Sequence, residues 1–114
     1  DHPQVINVTH EDLYTLMSVS NLLISDYSSV YFDFCLLEKP MIAYVPDYEH
    51  YLDTIGLNVD LYKDFPYVCK TMDELNTLLH SNLQYNDIFR EKFVVYKDGN
   101  NTKRVVEVIK DLMK

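Results

Sequence analysis

Two uninterrupted apolar runs do most to fix what this chain can become. One is Asn21-Leu22-Leu23-Ile24-Ser25, and the other is Met41-Ile42-Ala43-Tyr44-Val45. Neither alternates polar with apolar residues, so each reads as a strand covered on both faces, as strands of parallel sheets are. Between them Val30, Phe34 and Leu37 recur at helical spacing, and Lys39-Pro40 closes that helix because proline disfavours helical backbone in the residue before it. A strand, a helix and a second strand with short connections form a right-handed parallel unit. The shorter run Val5-Ile6-Asn7-Val8 predicts a further strand or its tail. After it Thr9 is the expected N-cap of a helix with Leu13, Leu16 and Met17 on one face, and Asp12 is its capping-box partner.

The pattern continues with a helix over 47–55 ended by Gly56, then an irregular stretch over 57–70 with a short strand at Tyr67-Val68-Cys69. Thr71 caps a helix carrying Leu75, Leu78 and Leu79, with Glu74 completing a capping box. A helix is predicted over 86–96, and Asp98-Gly99-Asn100-Asn101 breaks it. Thr102 then opens a closing amphipathic helix with Val105, Val106, Ile109 and Leu112 expected to face inward. No internal repeat or low-complexity linker interrupts the 114 residues, which suit a single domain over 1–114. The predicted class is α/β: a three-layer, Rossmann-like parallel sheet, with additional C-terminal helices wrapped around it.

Charge removes several function classes. Ten Lys and Arg stand against eighteen Asp and Glu, a formal charge of −8. That sign argues against nucleic acid as a partner and against adsorption to anionic membranes, since both reward clustered cations. No apolar stretch approaches the roughly 18 residues that span a bilayer, and no signal peptide opens the sequence. Cys35 and Cys69 stand alone, outside any CxxC, so the expected setting is a reducing cytoplasm. His2, His10, His50 and His80 show no metal-ligand spacing, and no metal or cofactor is expected. Only 2 glycines occur, which excludes a glycine-rich phosphate loop.

In open parallel sheets, ligands bind beyond the carboxyl ends of the strands. Two such ends are legible. At the first, Ser25-Asp26-Tyr27-Ser28-Ser29, two hydroxyls stand at the mouth of a helix beside unpaired backbone N–H groups and the positive end of the dipole. That composition suits an anion, with Ser28 and Ser29 each donating to a phosphate oxygen; equally, Ser28 serves as a plain helix cap. A carboxylate beside an anion would repel it, so the Asp26 side chain is expected to turn to backbone amides or a hydroxyl. At the second end, Asp47-Tyr48-Glu49-His50-Tyr51, the carboxylates suit either helix capping or a ligand. Asp33 is expected to face solvent and Cys35 the core. Most of the ten tyrosines fall at packing positions. Lys103 and Arg104 form a small basic pair, either solvated or set against a phosphate.

The run Ile24-Ser25-Asp26-Tyr27-Ser28-Ser29-Val30-Tyr31-Phe32-Asp33-Phe34, with Lys39-Pro40-Met41-Ile42 and then Tyr44, Asp47, Glu49 and Tyr51, resembles the CDP-glycerol glycerophosphotransferases, the teichoic-acid primases and polymerases of bacteria. Phe89-Arg90-Glu91-Lys92-Phe93, Asp98-Gly99 and Arg104-Val105-Val106 are similar to the end of the same domain. The resemblance implies a C-terminal piece of the nucleotide-binding lobe of a longer GT-B-like transferase. It implies CDP-glycerol or a related CDP-polyol as donor, attack by an acceptor hydroxyl on the β-phosphorus, and release of CMP. Ser28 and Ser29 would hold the pyrophosphate, Asp26 would shape their loop, and Arg104 would be a further phosphate partner. A lipid-linked polymer acceptor would be met by another part of the enzyme, a peripheral protein at the inner face of the cell membrane.

The same resemblance implies that the family's catalytic histidines lie outside this chain. None of its four histidines matches them, so no catalytic residue is assigned here and the chain alone should not catalyse transfer. Missing strands would leave a sheet edge open, with self-association as one remedy. Three other readings stand beside this one, among them a purely structural interaction domain with no ligand. A nucleotide-sugar glycosyltransferase of the same two-lobe architecture would share the site. A phosphoacceptor receiver module fits the size and acidity but not the order of parts, because Pro40 introduces a strand instead of following the last one.

Overall fold

The computed structural model describes residues 3–114 and contains a three-stranded parallel sheet: β1 (Leu23–Ser25), β2 (Met41–Tyr44) and β3 (Val68–Cys69), in the order β1-β2-β3. Leu23 lies opposite Met41 and Ser25 opposite Ala43, while Ala43 lies opposite Val68 and Tyr44 opposite Cys69. Seven α-helices are described: α1 (Leu13–Val19), α2 (Val30–Phe34), α3 (Tyr48–Thr54), α4 (Leu61–Asp64), α5 (Met72–Leu79), α6 (Ile88–Phe93) and α7 (Asn101–Leu112). A 3₁₀ turn, Cys35–Leu37, continues α2, and Glu38 ends it in the left-handed region at φ 56°.

Alternation along β2 builds the layers. Met41, Ala43 and Val45 point into one cluster with Tyr31 and Phe34 of α2, Leu61 of α4 and Phe89 of α6. Ile42 points the other way, into a smaller cluster with Cys69 and Leu75 of α5. Helices therefore cover both faces, as the sequence predicts. β2 is central, and its first three residues are buried, which is why this run is the most continuous in the sequence. Cys35 is fully buried in the larger cluster, as expected.

Several expectations are corrected. Val5–Val8 is not a strand: its three apolar side chains are exposed, and no strand pairs with it among the described residues. An extended run beside no neighbour has no ladder to satisfy its backbone. The first helix is capped by Asp12, not Thr9: Asp12 accepts from the Thr15 amide at 2.8 Å, while the Thr9 amide donates to Asn7 Oδ1 at 3.1 Å. β1 is not covered on both faces, since Ile24 is 41% exposed. It is an edge strand among the described residues, so the predicted open edge is present. The stretch over 57–70 holds the unforeseen α4, capped by Asp60.

The largest departure lies at the C-terminus. α7 forms where the spacing predicts it, yet Val105, Val106, Ile109 and Leu112 do not face inward: no residue of α7 is buried. α5 does what the sequence predicts, with its capping box complete and Leu75 in the core.

Candidate functional site

β1 ends at Ser25, and the loop that follows is held from below and from the side. Buried Tyr31, the second residue of α2, donates its hydroxyl to the Asp26 carbonyl at 2.6 Å. The Tyr27 hydroxyl donates to Asp47 Oδ1 at 2.8 Å, and its ring stacks on Tyr51 with centroids 3.6 Å apart at 12°. Partial burial and the Asp47 carboxylate both push the Tyr27 phenol above its usual range, so it stays a donor at any working pH. The loop after β1 is thus tied to the loop after β2, and the two strand ends form one ledge.

On that ledge Ser28 and Ser29 are both exposed at the start of α2. Ser28 Oγ accepts from the Val30 amide at 3.2 Å from one residue before the N-cap, so Ser28 is not itself the cap residue, and its hydroxyl proton remains free to donate outward. Ser29 occupies the N-cap position and makes no side-chain cap bond. A cavity of about 200 Å³ opens beside them, walled by Tyr27, Phe32, Leu57, Val59 and Phe89, with Asn58 also on its wall. That is below the roughly 300–1,000 Å³ of pockets that enclose a whole ligand, so it accommodates one portion of a nucleotide-sized molecule.

Asp26 sits in this loop but uses its backbone. No hydrogen bond to its carboxylate is present among the described residues, so the expected turn toward amides or a hydroxyl is not observed. Asp33 is exposed to solvent, as expected. Capping does not explain Asp47 or Glu49. Asp47 holds Tyr27, and Glu49 pairs with Lys70 just beyond β3. Lys70 Nζ lies 5.6 Å from the Tyr48 ring centre and 5.4 Å from that of Tyr62, and its ion pair draws the Glu49 carboxyl below its usual range. Lys70 was not singled out from sequence, although its place directly after a predicted strand was the available signal.

Arg104 is not brought to this ledge. Its guanidinium donates to both carboxylate oxygens of Asp98, at 2.9 and 2.5 Å, and lies 4.0 Å above the Tyr96 ring. That fork holds the Asp98 carboxyl far below the ordinary carboxylate range. It lines a separate groove on α7, not the cavity beside Ser28 and Ser29. Among the described residues, no group of three or more His, Cys, Asp and Glu side chains converges to hold a metal ion, and no helix is long and apolar enough to cross a membrane. His2 lies outside the described residues; His80 Nδ1 is 2.8 Å from the Asn76 carbonyl.

Residues 2–111 match the family of CDP-Glycerol:Poly(glycerophosphate) glycerophosphotransferases. The chain belongs to that family. It is 36% identical over 105 residues to a teichoic acid poly(glycerol phosphate) polymerase of Bacillus spizizenii, covering 86% of this chain and 27% of the relative. With the Bacillus subtilis protein of the same name it shares 37% over 109 residues, covering 88% of this chain and 15% of the relative. A teichoic acid ribitol-phosphate primase of Bacillus spizizenii is 30% identical over 114 residues. The solved structure of the wall teichoic acid polymerase TagF superposes with a TM-score of 0.68 at 26% identity, over 90% of this chain and 27% of that one. The chain therefore spans between 15% and 27% of the length of these relatives, and its parallel α/β fold is shared with the solved polymerase.

Proposed function

We propose that this chain supplies the donor-binding ledge of a glycerophosphotransferase acting in teichoic acid or capsular polymer synthesis, with CDP-glycerol as donor. The observation that carries the reading is the pair of exposed hydroxyls, Ser28 and Ser29, at the opening of α2 beside a part-nucleotide cavity. Family membership supports a polyol-phosphate donor, and the names of the relatives support a polymer acceptor. In the reaction an acceptor hydroxyl forms an O–P bond to the β-phosphorus, the bond to the α-phosphate oxygen breaks, and CMP departs with that oxygen. Two exposed hydroxyls at the opening of α2 stabilise the charge that spreads over the phosphoryl oxygens.

Arg104 is proposed as no more than a remote contributor, since it is already forked onto Asp98. The acceptor, lipid-linked in this reading, and the catalytic base come from polypeptide outside these residues, and the working place is the cytoplasmic face of the membrane. The test is a titration of the full-length protein with CDP-glycerol, comparing wild type with Ser28→Ala/Ser29→Ala. Each hydrogen bond to a charged phosphate is worth about 1.5–3 kcal/mol, so the double variant should bind at least ~10-fold more weakly. Unchanged affinity removes the assignment. Product analysis with CDP-ribitol and UDP-sugars separates the donors; a glycosidic product would favour the glycosyltransferase reading instead.

A further inference from the structure

Asp47 stands where a helix cap belongs and does not cap. It occupies the N-cap position of α3, yet no amide of that helix bonds to its side chain. Asp12 and Asp60, placed alike before α1 and α4, both accept from amides of the helices they open. Such a cap ordinarily stabilises its helix, so the Asp47 carboxylate is withheld from a favourable local use. Its bond goes instead to the Tyr27 hydroxyl, 20 positions away in the chain. Tyr51 follows Asp47 by one helical turn, its amide bonded to the Asp47 carbonyl, and residues so spaced share one side of a helix. Asp47 takes the hydroxyl of Tyr27, and Tyr51 stacks on its ring. A single helical turn therefore grips Tyr27 at two points, although Tyr27 is only half-buried and Asp47 is exposed.

We propose that Tyr27 and Asp47 are a positioning pair for the donor: Asp47, acting through the Tyr27 hydroxyl, holds the loop after β1 in the form that presents Ser28 and Ser29 to the diphosphate. The proposal rests on the reading of those two serines as diphosphate donors. Tyr27 directly precedes Ser28 and lines the cavity beside it, so fixing its side chain fixes the backbone that aims both hydroxyls. The serines have no other means of orientation: among the described residues, neither side chain bonds to another element of the fold. A loop already held in its bound form loses less freedom when the ligand arrives, and the tie registers as affinity. A lone hydrogen bond between an exposed carboxylate and a half-buried phenol contributes little to holding the core together.

The test is titration of the full-length enzyme with CDP-glycerol, in the wild-type and the Ser28→Ala/Ser29→Ala backgrounds. Tyr27→Phe keeps the stacked ring, removes the hydroxyl and should weaken binding about 5-fold, and Asp47→Ala should do the same. Combined, they should lose no more than either alone, because both remove one bond. Asp47→Asn retains an acceptor for the phenol and should recover most of the loss. Melting temperatures should stay within about 2 °C of wild type. In the serine background Tyr27→Phe should cost no further affinity, since no hydroxyls remain to be aimed. Undiminished affinity in Tyr27→Phe and Asp47→Ala overturns the proposal and leaves the serine assignment standing. Undiminished affinity in Ser28→Ala/Ser29→Ala removes that assignment, and the proposal with it. A full loss from Tyr27→Phe in the serine background would make Tyr27 a direct ligand contact. Asn as weak as Ala at position 47 would make the charge the active feature, and melting that falls with affinity would make the tie a matter of fold stability. Each of these three results overturns the positioning role.

Discussion

α5 and α7 begin from the same kind of sequence and end in opposite environments. Both are amphipathic, both open where the sequence predicts, and α7 is the longer at 12 residues against 8. Yet Leu75 of α5 is buried against Ile42 and Cys69, whereas α7 buries nothing. The difference lies in what precedes each helix. α5 follows β3 after two residues, so the crossover lays it on the sheet with its N-terminus fastened by the Thr71–Glu74 capping box. α7 follows a coil over 94–100 that leads away from the core. Helical spacing states that a face is to be covered; only the connection decides whether the covering surface belongs to the same body.

The comparison can be broken most directly by truncating each stripe in the 114-residue chain. Leu75→Ala should cost about 2–5 kcal/mol by chemical denaturation, because it leaves a hole in the smaller core cluster. Val108→Ala, on an exposed face, should stay within about 0.5 kcal/mol. Similar losses for the two would mean that α7 is packed after all. Next in size is the α5 cap: Thr71→Ala should cost about 1 kcal/mol, since the Glu74 amide loses its 3.1 Å bond to Thr71 Oγ1.

Acid sharpens the contrast with the smallest effect. Asp64 is buried and receives Lys92 Nζ at 2.7 Å, which lowers its carboxyl below the usual 3.8. A depressed carboxylate contributes stability that is fully present above the unfolded value, near pH 4, and lost as pH falls through the folded one. Asp98 is lowered too, through Arg104, but that pair is on the surface. In acid titrations of stability below pH 4, Lys92→Met should flatten the curve more than Arg104→Met at low salt. Added salt should erase the Arg104 contribution first. Equal flattening at all salt concentrations would contradict the difference in burial.

Much of this was legible in the sequence. The central strand, the α5 capping box and the start of α2 all follow from local rules that the tertiary structure does not override. Val5–Val8 misled because apolarity marks a strand only where a neighbour offers a ladder. Thr9 misled because the Val8 carbonyl takes the Glu11 amide in a turn at 2.9 Å, which shifts the helix start to Leu13. At the site, the Ser28-Ser29 position was readable, but the ties that hold it were not. Tyr27 to Asp47 and Glu49 to Lys70 join residues 20 and 21 positions apart, so only the strand order brings them together. For Arg104, charge alone leaves solvent and phosphate both open, and the fork it makes with the carboxylate six residues before it is not legible from that charge.

The central claim, that a diphosphate is held where α2 opens, is tested most directly by following backbone amide resonances of the isotopically labelled protein while CDP is added. The account predicts that Ser28, Ser29 and Val30 shift together and saturably, that the Tyr27 amide follows because its ring and hydroxyl fasten the same loop, and that α7 stays silent. Saturable shifts confined to the groove around Arg104, with the residues at 28–30 unmoved, would contradict it.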